Sequence, residues 1–212
     1  MSLFLGKIHY WLYNKIKWFE GIEDELLLLA EKENIDVQLL KNNLDAKYGE
    51  RLEDKPLEDL IDTSNIHGWL QGRINIAEGR VAMITHEIIE KSEECLTKIF
   101  EVYKSQGIKA AKEVKAEKGT INDAGEIYNS INDYILDGMP CDRVNEVISS
   151  DNDSISWKRT IDVHEQLFHS ERVDVKSFYN MRDEWIKAFV TELNNEFQYV
   201  KDSETVMVIR RV

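Results

Sequence analysis

Two stretches of the sequence repeat one pattern of histidine, tryptophan, glutamate and glycine. Residues 8–21 (IHYWLYNKIKWFEG) and residues 66–79 (IHGWLQGRINIAEG) are identical at seven of fourteen positions, at an offset of 58 residues. Two amphipathic helices share their apolar spacing as a matter of course, whereas matching His, Trp, Glu and Gly residues need a further explanation. The repeat predicts either that one helix was duplicated or that two separate helices have the same structural role.

Each copy places a histidine eleven residues before a glutamate, His9 with Glu20 and His67 with Glu78. At about 100° per residue, the two side chains return to within about 20° of one face, about 16 Å apart along the helix axis. Helix bundles build metal sites from His and carboxylate side chains that project inward from facing helices. The four residues are therefore candidate ligands for a transition metal (zinc or iron), or candidate contacts for a small molecule.

The shape of this candidate site depends on how the two helices run. If they are antiparallel, His9 meets Glu78 and His67 meets Glu20. If they are parallel, the histidines meet at one level and the glutamates at another. The Glu-x-x-His spacing of di-iron bundles is absent from the sequence. Packing alone is thus the competing interpretation, with the repeated tryptophans in the core and the His and Glu residues as helix contacts.

Cys141 is a second candidate centre. Directly after Pro140, it is expected in the first turn of a helix, where unpaired amides and the helix dipole favour a thiolate. His164 and His169 follow 23 and 28 residues later, and either could return to it. A Cys–His pair is the minimum for a thiol nucleophile, and His164 is taken as the candidate partner. The carboxylates that could orient the histidine are Asp137, Asp142 and Asp162. Catalytic Cys141 and His164 would make the protein a thiol-dependent enzyme, although no cysteine-hydrolase signature is present.

Apolar residues at three- and four-residue spacing predict that most of the chain is helical. The predicted helices cover about residues 5–32, 36–48, 57–61, 65–88, 93–105, 108–118 and 123–136. Gly107 is expected to break or kink the chain between the fifth and the sixth of them. Residues 1–138 are therefore predicted to form a helical bundle that contains both copies of the repeat.

The pattern changes after Gly138. Pro140 predicts a short helix to about residue 148, and alternating apolar residues over 155–163 predict a strand. Asp174 is expected to cap a helix to about residue 195, and residues 197–201 and 205–210 read as a hairpin. Residues 139–212 are thus predicted to form a small α+β lobe with a short antiparallel sheet. The predicted fold class is mainly α, a helical bundle with this lobe packed on it.

Composition narrows the possible partners. The net charge of −13, from 27 basic and 40 acidic residues, argues against nucleic acid and against acidic membranes. No apolar run approaches the roughly 20 residues of a membrane-spanning helix, and no secretory signal is visible. Two cysteines do not make a disulfide framework, so a cytoplasmic location is expected.

The leading functional hypothesis is a cytosolic helical binding protein with a polar His/Glu-lined cavity for a transition metal or a small molecule. A thiol-dependent enzyme is the first alternative. A purely structural or self-associating helical protein is the second, and five tryptophans on large amphipathic helices make a homodimer plausible.

Overall fold

Eight helices and four strands make up the part of the chain that the computed structural model describes, residues 5–92 and 94–212. The helices are α1 (Lys7–Lys32), α2 (Val37–Tyr48), α3 (Leu57–Leu60), α4 (Ile66–Ile89), α5 (Glu94–Lys118), α6 (Ala124–Asn132), α7 (Glu165–Ser170) and α8 (Val175–Leu193). The strands are β1 (Asn145–Ser150), β2 (Ser154–Arg159), β3 (Phe197–Lys201) and β4 (Val206–Arg211). The predicted class, mainly α with a small C-terminal antiparallel sheet, is confirmed.

The two helices of the repeat, α1 and α4, pack side by side and run parallel. Near their starts, the rings of His9 and His67 lie 6.0 Å apart between centroids. Farther along, Arg80 of α4 donates two hydrogen bonds to Glu23 of α1, at 2.9 and 2.8 Å. Residues at nearly the same repeat position therefore meet at the same level along both helices, as the parallel alternative requires.

Local capping residues set the ends of the early helices. The Asp36 side chain accepts a hydrogen bond from the Leu39 amide at 3.0 Å and caps α2, which ends before Gly49 at φ +90°. Asn65 caps α4 by accepting from the Gly68 amide at 3.2 Å. These caps agree with the predicted starts, because a side-chain oxygen at the N-cap satisfies an amide that has no partner inside the helix.

The break predicted at Gly107 is wrong, because α5 continues through it without interruption. A Cβ at Gly107 would overlap the main-chain carbonyl of Trp185 in α8. The glycine is thus explained by the close approach of α8 to α5, which a local pattern does not reveal. Glu93, where this helix was predicted to begin, lies outside the described residues.

The four strands form one antiparallel sheet in the order β1-β2-β4-β3. The two central strands pair with Trp157 opposite Met207 and Ile155 opposite Ile209, and all four of these side chains are buried. Helix α6 packs against the sheet, and α8 packs along α5 and against β3. The predicted terminal hairpin is confirmed as β3 and β4. The division of the chain at residue 138 stays a prediction.

The segment between α6 and β2 differs most from expectation. The helix predicted after Pro140 is only a 3-10 turn, Pro140–Asp142, and the chain then enters β1. This prediction fails because the pairing of β1 with β2 is a tertiary interaction that overrides a local helix-start signal. Helix α6 also ends at Asn132, short of the predicted residue 136. The short helix α7 follows β2 and was not predicted.

Apolar side chains from the helices and from the inner face of the sheet join in one hydrophobic cluster. The largest fully buried members include Trp185, Phe168, Phe178, Phe189 and Phe197. Within the described ranges, none of the helices combines the length and the apolar character needed to cross a membrane.

Candidate functional site

A buried group of charged side chains joins α4, α8 and the segments that follow α6 and β2. His164 is 0% exposed, with Nδ1 3.0 Å from Glu78 Oε1 and Nε2 3.0 Å from Asp137 Oδ1. Arg182 donates through Nη1 to Asp137 at 2.8 Å and through Nη2 to the Leu136 carbonyl at 2.6 Å. We call Glu78, His164, Asp137 and Arg182 the His164 network. Its two carboxylates lie at opposite nitrogens of one imidazole, so they do not converge on a common point.

The charged neighbours of His164 and Asp137 shift the pKa values of both groups. Burial alone would lower the pKa of His164, but Glu78 and Asp137 together raise it above its ordinary value, against the opposing Arg182 guanidinium. Burial alone would raise the pKa of Asp137, but Arg182 and His164 hold it far below its ordinary range.

Lys15 of α1 is a further buried cation close to this network. Its side chain is 5% exposed, and its ammonium lies 3.9 Å from the centre of the Trp11 ring. Burial lowers the pKa of Lys15 to about 8, although Asp137 acts in the opposite direction. The Trp11 indole in turn donates to Asp133 at 2.9 Å. The repeated tryptophan of α1 therefore covers the Lys15 ammonium and is held by Asp133.

Glu78 also forms part of the floor of a surface groove of about 500 Å³ between α2, α4 and α7. Its side chain is only 4% exposed. Despite the 3.0 Å separation, neither His164 Nδ1 nor Glu78 Oε1 completes a hydrogen bond with any described residue, because the two groups are not aligned. A buried carboxylate oxygen without an aligned donor is costly, so its presence in a folded protein calls for an explanation.

The walls of the groove combine apolar and polar groups. Ile76, Val163 and Leu167 supply the apolar surface, while Asn75, Gln166 and Ser170 supply amide and hydroxyl groups. Small-molecule sites typically have this composition, an apolar lining with a few polar groups that fix orientation.

The Tyr48 wall of the groove depends on Gly79, the last residue of the second copy of the repeat. A Cβ at Gly79 would overlap the Tyr48 ring, so only glycine lets this ring lie directly on α4. The Tyr48 hydroxyl donates to Glu171, and Lys47 pairs with the same carboxylate at 2.6 Å. The cation at the rim is thus already neutralised within the protein.

The four repeat residues predicted as ligands occupy three separate places. His9 and His67 lie together at the start of the helix pair, His9 half-buried and His67 exposed. Glu20 accepts a hydrogen bond from the Leu52 amide at 3.1 Å and contacts Arg73 at 3.4 Å. Glu78 faces His164 and the groove. In the described part of the chain, no group of three or more His, Cys, Asp or Glu side chains could hold a metal ion.

The other predicted pair, Cys141 and His164, differs strongly in environment. Cys141 is exposed in the 3-10 turn, whereas His164 is fully buried with a carboxylate at each ring nitrogen. Asp162, expected to orient a catalytic histidine, instead accepts hydrogen bonds from the backbone amides of His164 and Glu165 and from the Tyr179 hydroxyl. It organises the start of α7. The thiol-dependent alternative stays a prediction.

Sequence reasoning missed Arg182 and Lys15. Both occupy positions at which the apolar spacing of their helices predicts a hydrophobic residue. Arg182 follows Phe178 by four residues, and Lys15 follows Leu12 by three. A basic residue inside an apolar stripe was the available signal, because such a side chain is buried only with a partner.

Comparisons of the chain with protein-family models, curated protein sequences and solved structures found no match. The functional argument therefore stands on the site itself.

Proposed function

We propose that the protein binds a small polar molecule in the groove between α2, α4 and α7. The observation that carries this proposal is the buried Glu78 carboxylate at the groove floor, which has a histidine close behind it but no aligned hydrogen-bond donor among the described residues. A ligand that donates a hydrogen bond to Glu78 would remove part of the cost of burying this group.

The size and lining of the groove support the same proposal. Its volume of about 500 Å³ lies within the range of about 300–1,000 Å³ that small-molecule sites occupy. Residues of α2, α4 and α7 form the walls of the groove. On the core side, His164 lies against Glu78 at the floor. A preorganised site of this kind binds with little loss of side-chain entropy.

We place this activity in the cytosol. Both cysteines, Cys95 and Cys141, are free thiols. Free cysteines suit a reducing compartment, and the net charge of −13 favours a soluble surface without affinity for nucleic acid or acidic membranes.

The test is a thermal-shift screen of chemically diverse small molecules against the wild type and two tryptophan variants. Gln166 is exposed on α7 and lines the groove, so Gln166→Trp fills the site without disturbing the core. His169, exposed on the same helix outside the groove lining, supplies the matched control His169→Trp. Molecules should stabilise the wild type and the control but not Gln166→Trp. A screen whose hits stabilise all three proteins equally would contradict the proposal.

A transition metal held between His9 and His67 is the second candidate. The observation that favours it is the 6.0 Å separation of the two rings. Zinc binds a histidine nitrogen at about 2.0–2.1 Å, so two imidazoles on one tetrahedral ion have centroids about 5 Å apart, and the two rings would need to approach by about 1 Å. His9 Nδ1 accepts from the Gly6 amide at 2.9 Å, which leaves its Nε2 for a metal.

Elemental analysis by mass spectrometry tests the metal candidate. Near-stoichiometric zinc or iron in the untagged protein, lost in the double variant His9→Ala/His67→Ala, would support it. Metal that persists in the double variant, or a folded protein without metal after growth in zinc- and iron-supplemented medium, would remove it.

A further inference from the structure

We infer that the ligand of the groove is an organic cation, an amine or amidine joined to an apolar body, whose charged head binds the Glu78 carboxylate. This inference rests on the proposed function, and it adds the chemical class of the ligand to it.

The charges of the groove favour a cation over an anion. Two titratable side chains of opposite sign border it, Lys47 at the rim and Glu78 at the floor. Lys47 is already paired with Glu171 at 2.6 Å. Among the described residues Glu78 pairs only with His164, which lies 3.0 Å from Oε1 without an aligned hydrogen bond, and no lysine or arginine pairs with it, so its carboxylate is the charge that we assign to the ligand.

His164, which lies behind Glu78, does not satisfy this carboxylate. His164 approaches Glu78 Oε1 to 3.0 Å without alignment, and its other nitrogen faces Asp137 at the same distance. One imidazole is thus shared between two carboxylates. An ammonium or amidinium in the groove would give Glu78 an aligned, charge-assisted hydrogen bond, which is about twice as strong as a neutral one.

The walls require an apolar body next to the charged head. Ile76, Val163 and Leu167 line the groove beside Glu78, and a bare metal ion or ammonium ion would leave this surface unused. The net charge of −13 adds long-range attraction for cations and repulsion for anions.

Three probes of equal size test the inference by isothermal titration calorimetry at neutral pH. They are benzylammonium, benzyl alcohol and benzoate, which share one aromatic body and differ in the charge of the head. Benzylammonium should bind about tenfold or more tightly than the other two, the factor expected for a hydrogen bond to a charged group.

Two carboxylate variants locate the effect. Glu78→Gln keeps the size of the side chain and removes its charge, so it should weaken benzylammonium binding by about tenfold or more. Glu146→Gln removes an exposed carboxylate of β1, far from the groove lining, and should leave the affinity unchanged. Thermal melting of both variants verifies that they are folded.

The outcomes separate this inference from the proposed function. Equal or tighter binding of benzyl alcohol or benzoate overturns the cationic class, as does benzylammonium binding that is indifferent to Glu78→Gln. The absence of binding by all three probes overturns it as well. If the thermal-shift screen still gives molecules that stabilise the wild type but not Gln166→Trp, the groove is a site for neutral or anionic ligands. If the screen gives no such molecules, the proposed binding function of the groove is contradicted as well.

Discussion

Glu20 and Glu78 occupy equivalent positions in the two copies of the repeat, and both are 3% exposed, yet their surroundings differ. Glu20 accepts from the Leu52 amide and has two arginines, Arg51 and Arg73, close by. Glu78 has one histidine at close range and no aligned donor among the described residues. The same residue at the same repeat position is thus held by a backbone amide and two arginines in α1, and has only a histidine close by in α4.

The neighbouring Glu23 shows how a structural carboxylate is satisfied in this bundle. Both of its oxygens accept from Arg80, whose remaining nitrogen donates to Asp45 at 2.6 Å and to the Gly49 carbonyl at 2.8 Å. Compared with Glu23, Glu78 lacks an aligned hydrogen-bond donor at Oε1 among the described residues. The difference teaches that carboxylates with equal burial can differ in the number of aligned donors around them, and this number is the basis of the binding role that we propose for Glu78.

The largest effect is expected where the structural side of the comparison is broken. Glu23→Gln leaves the buried Arg80 guanidinium with only the half-exposed Asp45 as a charged partner, which should cost about 3 kcal/mol of unfolding free energy. Denaturant unfolding measures this loss. Asp24→Asn, which removes a 58% exposed carboxylate one residue further along, is the control and should have little effect. Equal losses in the two variants would contradict a structural role for the Glu23–Arg80 pair.

Lys15 offers a second test, because its effect on the free energy of unfolding should change in size with pH. Because the folded state lowers the pKa of Lys15 to about 8 from 10.5, the lysine costs stability below pH 8, and this cost disappears as the pH rises to 10.5. Lys15→Met should therefore be more stable than the wild type at pH 7. The difference between the two proteins should shrink by about 3 kcal/mol between the two pKa values, at 1.36 kcal/mol per unit. Denaturant unfolding of both proteins across this range checks it, and a difference that stays constant with pH would contradict it.

The repeated glycines sharpen the comparison between the two helices. Gly79→Ala forces the Tyr48 ring off α4 and should cost about 1–3 kcal/mol, the usual penalty of overpacking. At Gly21 an added Cβ lies 3.4 Å from Gln106 Nε2, an ordinary contact. Gly21→Ala should therefore gain about 0.5–1 kcal/mol from helix propensity. Thermal unfolding distinguishes the two, and the same sign for both variants would refute this difference between the copies.

The smallest expected effect lies in the titration of His164. Glu78 is the carboxylate that raises its pKa most, so Glu78→Gln should lower this pKa and Glu20→Gln should leave it unchanged. Proton-detected NMR titration of the imidazole measures both.

The same raised pKa sets a pH dependence of stability. The folded state holds the His164 proton more tightly than the unfolded state does. Its contribution to stability is therefore present below pH 6.5 and is lost as the pH rises through the folded value. Denaturant unfolding of the wild type and Glu78→Gln across this range should show a smaller loss in the variant. A pKa of His164 that is the same in both proteins would contradict the role given to Glu78.

Much of the architecture could be predicted from the sequence, because caps and apolar spacing are local signals. Asp36 and Asn65 mark the starts of α2 and α4, and the terminal hairpin follows from its β-prone segments. The failures at Gly107 and after Pro140 share one cause. Both depend on a partner that is remote in sequence, α8 in the first case and β2 in the second.

The candidate site could be predicted only in its components. His164, Glu78 and Asp137 were all singled out by residue type, but they were assigned to two different centres. Their sequence separations are large, and nothing in the sequence brings α4 next to the segment that follows β2. Arg182 was not singled out, because its carboxylate partner Asp137 lies 45 residues earlier in the sequence, and only the fold brings the two together.

Chemical-shift mapping by NMR, with the strongest ligand from the thermal-shift screen, tests the central claim most directly. If Glu78 is a binding carboxylate, the perturbed amides should surround the groove, on α2 near Tyr48, on α4 near Glu78 and on α7 near Gln166. Perturbations centred on His9 and His67, or spread over the molecule without a centre at Glu78, would contradict the account.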